Sequence, residues 1–155
     1  MSCICNLFQI ICKKNKVKKL DINDLNKADN NIPLFSLEGE QYKAKVVNVY
    51  DGDTIKVVII FNNKLTRFNI RMSGYDSPEL RTKDEEEKKA AIIARDVLKN
   101  KILNKIVDIH CGKFDKYGRL LGNIYYNKTN INEWMITNNY GYIYNGGTKI
   151  KFNSK

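Results

Sequence analysis

The sequence predicts one α+β domain, mainly β, in which a five-stranded barrel is accompanied by two or three helices. Short runs rich in β-branched residues predict the strands, and glycines and asparagines between them predict tight turns. Two further segments have the three- and four-residue apolar spacing of helices. The resulting order is three strands, a helix, two strands and a helix, which is the order of an OB-fold barrel.

The strands are predicted at residues 43–50, 54–61, 65–73, 105–111 and 119–126. Asn62 and Asn63 predict a tight hairpin between the second and third strands, because asparagine tolerates the positive φ of such turns. Apolar and polar side chains alternate along the third strand, which places Arg71 on its polar side.

The helices are predicted at residues 84–100 and 131–139. In the first, Ala90, Ile93, Ala94 and Val97 recur at helical spacing. Its acidic first turn and its lysines near the end both match the helix dipole.

The chain of 155 residues has room for one domain, which we place at residues 43–149, after an arm and linker at 1–42 and before a tail at 150–155. Residues 1–42 hold six lysines and five acidic residues, so +9 of the +10 formal net charge lies in residues 43–155. This excess favours a polyanionic partner. The alternative is a lysine-rich, solvated surface.

The first residues suggest attachment to a membrane rather than secretion. Residues 1–12 are apolar and contain Cys3, Cys5 and Cys12, and five lysines follow within residues 13–19. A secretory signal has its charge before the apolar run, and this run is too short to span a bilayer. We therefore expect an intracellular, cytoplasmic protein. Its first residues form an arm that covers part of the fold or, as the alternative, attach the protein to a membrane through S-acylated cysteines and the polybasic patch.

Three short stretches place acids and arginines beside turn residues at predicted strand ends: residues 51–54 (DGDT), 71–79 (RMSGYDSPE) and 115–119 (DKYGR). Carboxylates suit hard divalent cations, and arginine forks bind phosphate oxygens in pairs. Each stretch alone is weak, because glycine-aspartate turns and surface arginines are common. Together and in this order they resemble the staphylococcal nuclease family over roughly residues 43–149.

The resemblance implies a Ca²⁺-dependent endonuclease that hydrolyses phosphodiester bonds of DNA, with RNA as a second substrate, and has little sequence specificity. It implies a monomer that leaves 3′-phosphate ends. Mg²⁺ or another divalent ion is the alternative metal, because cytosolic Ca²⁺ is scarce. The alternative function is a non-catalytic module of the same fold that binds nucleic acid or protein.

The same resemblance assigns roles to individual residues. The implied residues are the metal ligands Asp53, Asp76 and Ser77 (through its main-chain carbonyl), the general base Glu79, the phosphate-binding Arg71 and Arg119, and the substrate contacts Lys116 and Tyr117. Tyr140, Tyr142 and Tyr144 alternate near the end of the domain. They predict a surface on which bases stack, with core packing as the alternative.

Overall fold

The computed structural model of the protein describes residues 20–147, which divide into two compact units between Phe35 and Ser36. In the first unit, helix α1 (Ile22–Asn26) begins at Asp21, whose carboxylate accepts hydrogen bonds from the main-chain N–H groups of Asn23 and Asp24. The sequence pattern predicts only a linker here. This cap explains the added helical turn, because it satisfies N–H groups that would otherwise lack partners.

The second unit contains the remaining helices and strands. In chain order these are β1 (Gln41–Val49), β2 (Thr54–Phe61), β3 (Lys64–Met72), β4 (Tyr75–Asp76), α2 (Glu85–Ile102), β5 (Ile106–Phe114), β6 (Leu120–Tyr126), β7 (Thr129–Asn130), α3 (Ile131–Thr137) and β8 (Tyr142–Ile143).

Five of the strands form a closed barrel in the order β3-β2-β1-β5-β6. All of these neighbours are antiparallel except β3 and β6, which close the barrel in parallel through Ile70 opposite Leu120 and Arg71 opposite Leu121. The predicted five-stranded, mainly β OB-fold is therefore confirmed.

The core fills the barrel and continues beneath the helices. Ile55, Val57 and Ile70 project inward from β2 and β3, while α2 contributes Leu98 and α3 contributes Met135. Each of these side chains is fully or almost fully removed from water, which is the main source of stability in a domain of this size. The core fixes the strand ends, and the strand ends carry the polar motifs.

The short strands are the main difference from the predicted elements. The β2–β3 turn is the expected tight hairpin, with Asn62 at φ 48° and Asn63 at φ 60°. By contrast, β4 and β8 pair with each other outside the barrel, and neither they nor β7 have a recognisable strand pattern in sequence. Two-residue strands are too short for alternation to show.

No helix within residues 20–147 is long and apolar enough to cross a membrane. The cysteines and lysines of the predicted membrane attachment, Cys3, Cys5, Cys12 and residues 13–19, lie outside the described residues. Attachment through them remains a prediction.

Candidate active site

Three strand ends bring the first two polar motifs together. Asp53 immediately precedes β2, Arg71 is the penultimate residue of β3, and Asp76 ends β4. The register places Thr54 opposite Arg71, and the N–H of Met72 donates to the carbonyl of Asp53 over 2.8 Å. The β1–β2 turn therefore lies directly against the end of β3.

Gly52 allows the turn to approach the segment that follows β4. A Cβ atom at this position would lie 2.7 Å from the Cβ of Ser77, closer than side chains pack. The carbonyl of Gly52 also accepts a 2.7 Å hydrogen bond from the hydroxyl of Tyr75, which is completely buried. Close packing therefore requires glycine at position 52 of the DGDT motif, in addition to any requirement of the turn.

Arg71 joins the two candidate metal ligands. Its Nη2 lies 3.1 Å from Oδ2 of Asp53 and 2.6 Å from Oδ1 of Asp76, and its Nη1 donates to the carbonyl of Met72 over 2.8 Å. The three charged side chains are only 11%, 8% and 2% exposed, in the order Arg71, Asp53, Asp76. We call Asp53, Arg71, Asp76 and Ser77 the buried cluster.

Neutral donors also bond to both carboxylates of the buried cluster, and at Asp53 Oδ2 they share the oxygen with Arg71. Thr54 Oγ1 donates to Asp53 Oδ1 over 2.9 Å, and both the N–H and the hydroxyl of Ser77 donate to Asp53 Oδ2, over 3.1 and 3.2 Å. The hydroxyl of Tyr142 donates to Asp76 Oδ2 over 3.1 Å. These bonds hold both carboxylates in fixed orientations.

The buried cluster has more negative than positive charge. Two carboxylates face one guanidinium, and Asp51 adds a further carboxylate that accepts from the N–H of Asp53. Burial raises the pKa of the Asp53 carboxyl; Arg71 opposes this rise and Asp51 adds to it. A nearby cation would offset this excess of negative charge.

The oxygen donors of the buried cluster suit a divalent ion, although few side chains contribute them. Within residues 20–147 no set of three or more His, Cys, Asp or Glu side chains is placed to hold a metal. The cluster instead offers the two carboxylates of Asp53 and Asp76. Hard oxygen donors of this kind are the ligands of Ca²⁺ and Mg²⁺, and both ions commonly complete their shell with water.

A cavity of about 420 Å³ opens beside Arg71. Its charged and aromatic lining residues are Arg71, Tyr75, Asp115, Lys116, Tyr117, Arg119 and Tyr144. The structure thus places both candidate phosphate-binding arginines and both candidate substrate contacts of the third motif around one cavity. Positive charge predominates in its wall.

Asp115 fixes Arg119 at the cavity wall. Its Oδ2 accepts from Nε of Arg119 over 2.7 Å, and its Oδ1 accepts from the N–H groups of Tyr117 and Arg119, each over 2.9 Å. Burial raises the pKa of Asp115, but these hydrogen bonds outweigh burial and hold the pKa below its usual value. The Nε bond leaves the two terminal nitrogens of Arg119 to face a ligand.

Glu79, the candidate general base, has a different setting. It is exposed and follows the buried Pro78, and its main-chain N–H donates to Oε1 of Glu87 over 3.1 Å. This bond ties the segment after Ser77 to the first turn of α2. Its catalytic role stays a prediction.

The three alternating tyrosines have three different environments. Tyr140 packs on Trp134 with ring centroids 5.7 Å apart, Tyr142 contacts Asp76, and Tyr144 lines the cavity. Of the three, Tyr144 alone lines the cavity wall, where a base would meet it. Tyr142 bonds to a candidate metal ligand, and its predicted contact with a base stays a prediction.

The sequence patterns predict no role for Asp115, Tyr75 or Thr54, although each shapes the site. Asp115 stands four residues before Arg119 across a glycine turn, and this spacing could have indicated the pair. Tyr75 lacks such a signal, because only the fold brings it to its partner Gly52. Thr54 adjoins its partner Asp53 in the DGDT motif.

Comparison with known proteins extends these observations. The family described as staphylococcal nuclease homologue matches residues 69–153, a span that includes Arg71, Asp76, Glu79 and Arg119 but begins after Asp53. An uncharacterized protein of Methanocaldococcus jannaschii is 31% identical over 146 residues, covering 79% of this chain and 69% of the relative.

Two further relatives are named as endonucleases. An uncharacterized endonuclease of Escherichia coli O157:H7 is 31% identical over 101 residues, covering 64% of this chain and 60% of the relative. Endonuclease Htp3 of Saprolegnia parasitica is 29% identical over 131 residues, covering 74% of this chain and 62% of the relative. The chain thus spans less than two thirds of the length of both named endonucleases.

Proposed function

The chain belongs to the staphylococcal nuclease family, and on this basis we propose that it is a metal-dependent endonuclease that hydrolyses phosphodiester bonds of DNA or RNA with little sequence specificity. One observation carries the proposal: a cavity lined by two arginines and a lysine opens beside a buried pair of carboxylates. Hydrolysis of a phosphodiester needs both a phosphate-binding wall and a means of offsetting charge.

The carboxylates of Asp53 and Asp76, with the main-chain carbonyl of Ser77, would hold the divalent ion. Ca²⁺ is the first candidate and Mg²⁺ the alternative. The excess negative charge of the buried cluster and its hard oxygen donors support this assignment. A bound ion supplies positive charge that offsets the charge developing on the phosphate.

Arg71 and Arg119 bind the phosphate from the cavity wall. Asp115 orients Arg119 through its Nε, while the bonds of Arg71 to Asp76 and Met72 hold its guanidinium at the junction of cluster and cavity. Because both side chains are already oriented, little reorganisation is needed when charge builds up on the phosphate oxygens. Lys116 and Tyr117 contact a neighbouring phosphate, and Tyr144 contacts a base.

Glu79 acts as the general base. It accepts a proton from the attacking water while the water oxygen bonds to phosphorus and the bond to the 5′-oxygen breaks. The 5′-oxygen takes up a proton from solvent, so the products are a 3′-phosphate and a 5′-hydroxyl. The exposed position of Glu79, three residues after Asp76, supports access to water.

The test is incubation of the purified full chain with single-stranded DNA, duplex DNA and RNA in Ca²⁺, in Mg²⁺ and in chelator. We expect cleavage that depends on the divalent ion and yields ends that a 3′-phosphatase modifies. Binding without cleavage in every condition would contradict the proposal and support the non-catalytic module instead.

A further inference from the structure

The outward face of the β1–β3 sheet has an unusual distribution of charge. Strands β1, β2 and β3 together contain six basic residues and no acidic residue. Their inward side chains are the buried apolar ones, such as Ile55, Val57 and Ile70. Of the six basic residues, all but Lys64 stand at outward positions of the strand alternation.

Cross-strand pairs show that this face is continuous with the candidate active site. Along β3 and β2 the outward pairs are Arg71 with Thr54, Asn69 with Lys56, Arg67 with Val58, and Leu65 with Ile60. Lys45 of β1 is the other neighbour of Val58. We call Lys45, Lys56, Val58, Ile60, Leu65 and Arg67 the basic face. Arg67 is four residues from Arg71, or about 13 Å along the strand.

The charges of the basic face have no acidic partner on their own strands. Lys43, beside this face, forms a 2.8 Å ion pair with Asp108 of β5, whereas no such pair is seen for Lys45, Lys56 or Arg67 within residues 20–147. Lys45 and Arg67 are exposed and Lys56 is partly so. Uncompensated like charges on one sheet face cost stability, so their clustering favours a polyanionic ligand.

Exposed aliphatic side chains accompany these charges. Ile60 is 68% exposed and Leu65, its direct cross-strand partner, is 79% exposed. Together with the partly buried Val58, which lies between Lys45 and Arg67, they form an apolar strip that continues toward the β2–β3 turn. A ligand that presents phosphates and unstacked bases side by side matches these adjoining cations and apolar side chains, and single-stranded nucleic acid has that chemistry.

We propose that the basic face is an extended binding surface for single-stranded nucleic acid, which holds the part of the substrate strand that continues beyond the cavity. The inference rests on the proposed function for the identity of the ligand. Phosphates lie against Lys45, Lys56 and Arg67, while bases contact Val58, Ile60 and Leu65. A substrate that reaches past the cavity therefore binds more tightly than one confined to it.

The test measures binding alone, in chelator, so that cleavage does not occur. Fluorescence anisotropy compares labelled single strands of about 4 and about 16 nucleotides, the range that one OB-fold covers, over a series of salt concentrations. The variant is Lys45→Gln/Lys56→Gln/Arg67→Gln. The matched control is Lys88→Gln/Lys89→Gln/Lys99→Gln, which removes the same charge from exposed positions on α2.

We expect the variant to bind the longer strand at least about 10-fold more weakly at low salt than the wild type does. The slope of log affinity against log salt should become shallower by about 2, because each phosphate contact to a single strand contributes about 0.7. The control should keep the wild-type slope. A wild-type slope in the variant, or an equal change in the control, would overturn the proposal.

A second variant, Ile60→Ser/Leu65→Ser, tests the apolar strip. We expect weaker binding of the longer strand with an unchanged salt slope, because no charge is removed. Wild-type affinity would overturn the role of the strip. Failure of the proposed function is a separate result, since absence of cleavage in Ca²⁺ and Mg²⁺ leaves these binding measurements unaffected.

Discussion

The buried cluster and the segment that carries Glu79 differ in how the fold holds them. Asp53 and Asp76 are almost completely buried and each pairs with Arg71, whereas Glu79 is exposed and its main-chain N–H bonds to Glu87. The cluster depends on strand ends that the core fixes. The base lies on a connecting segment, where water is accessible.

This difference predicts that the two parts contribute to different properties. Changes in the buried cluster should alter folding stability and cation binding together, because the same atoms serve both. Changes at Glu79 should alter the rate of hydrolysis and leave stability nearly intact.

Replacing the base should have the largest effect on turnover. Glu79→Gln keeps the size of the side chain but removes the proton acceptor, so kcat should fall at least about 10²-fold. Its free energy of unfolding should change little. Steady-state cleavage kinetics and urea unfolding measure the two effects, with Glu86→Gln on α2 as the control. Wild-type turnover in Glu79→Gln would remove Glu79 from the mechanism.

Breaking the shortest ion pair of the buried cluster should have the largest effect on stability. Asp76→Asn removes the charge that faces Arg71 at 2.6 Å while Arg71 keeps Asp53 as a partner, so the free energy of unfolding should fall by about 2 kcal/mol, the value of a buried hydrogen bond to a charged group. Asp108→Asn is the control, since its pair with Lys43 is exposed and worth at most about 1 kcal/mol. Urea unfolding in chelator measures both. Equal losses would show that burial does not distinguish the two pairs.

Replacing either arginine should lower kcat, but only the replacement of Arg71 should also lower stability. Lysine keeps the charge but loses the planar fork, so Arg71→Lys and Arg119→Lys should each lower kcat at least about 10-fold, less than the loss of a whole donor. Arg71→Lys should also lower the melting temperature, since its guanidinium makes three buried contacts. Kinetics and thermal melts measure the two effects. A loss of nucleotide affinity without a loss of kcat would reassign both arginines to docking.

Replacing Asp53 should change the free energy of unfolding of the metal-free protein in the opposite direction to replacing Asp76. Burial raises the pKa of Asp53, so the ionised carboxylate costs stability in the metal-free protein at neutral pH. This cost is absent at pH values below the ordinary aspartate pKa and is complete above the raised pKa. Asp53→Asn should therefore stabilise the metal-free protein at neutral pH, and the gain should disappear in acid. Urea unfolding in chelator at both pH values measures it. Destabilisation at neutral pH would contradict the assigned direction.

Local patterns predicted most of the fold and the positions of the motifs. The β2–β3 hairpin, the strand that ends near Arg71 and the long helix α2 all follow from spacing and turn residues within a few positions. Those signals depend on neighbours in sequence. They also predict the barrel, because this order of strands and helices is typical of the OB-fold.

Contacts between distant residues were not predictable from those patterns. The bond from Tyr142 to Asp76 joins residues 66 positions apart, and it depends on the pairing of β4 with β8. Likewise, alternation along β3 placed Arg71 on a polar side, but the two carboxylates face it because of the β2–β3 register and the turn that leads into β4. The sequence therefore predicted candidate residues, several of which the fold brings together, but not the ion pairs that orient them.

A Ca²⁺ titration of single-turnover cleavage tests the division between the two parts most directly. The buried cluster should set the Ca²⁺ concentration for half-maximal rate, so Asp53→Asn and Asp76→Asn should move that midpoint to higher concentration. Glu79→Gln should keep the wild-type midpoint and lower the plateau. A wild-type midpoint in both aspartate variants would contradict the cation site, and so would cleavage that needs no divalent ion.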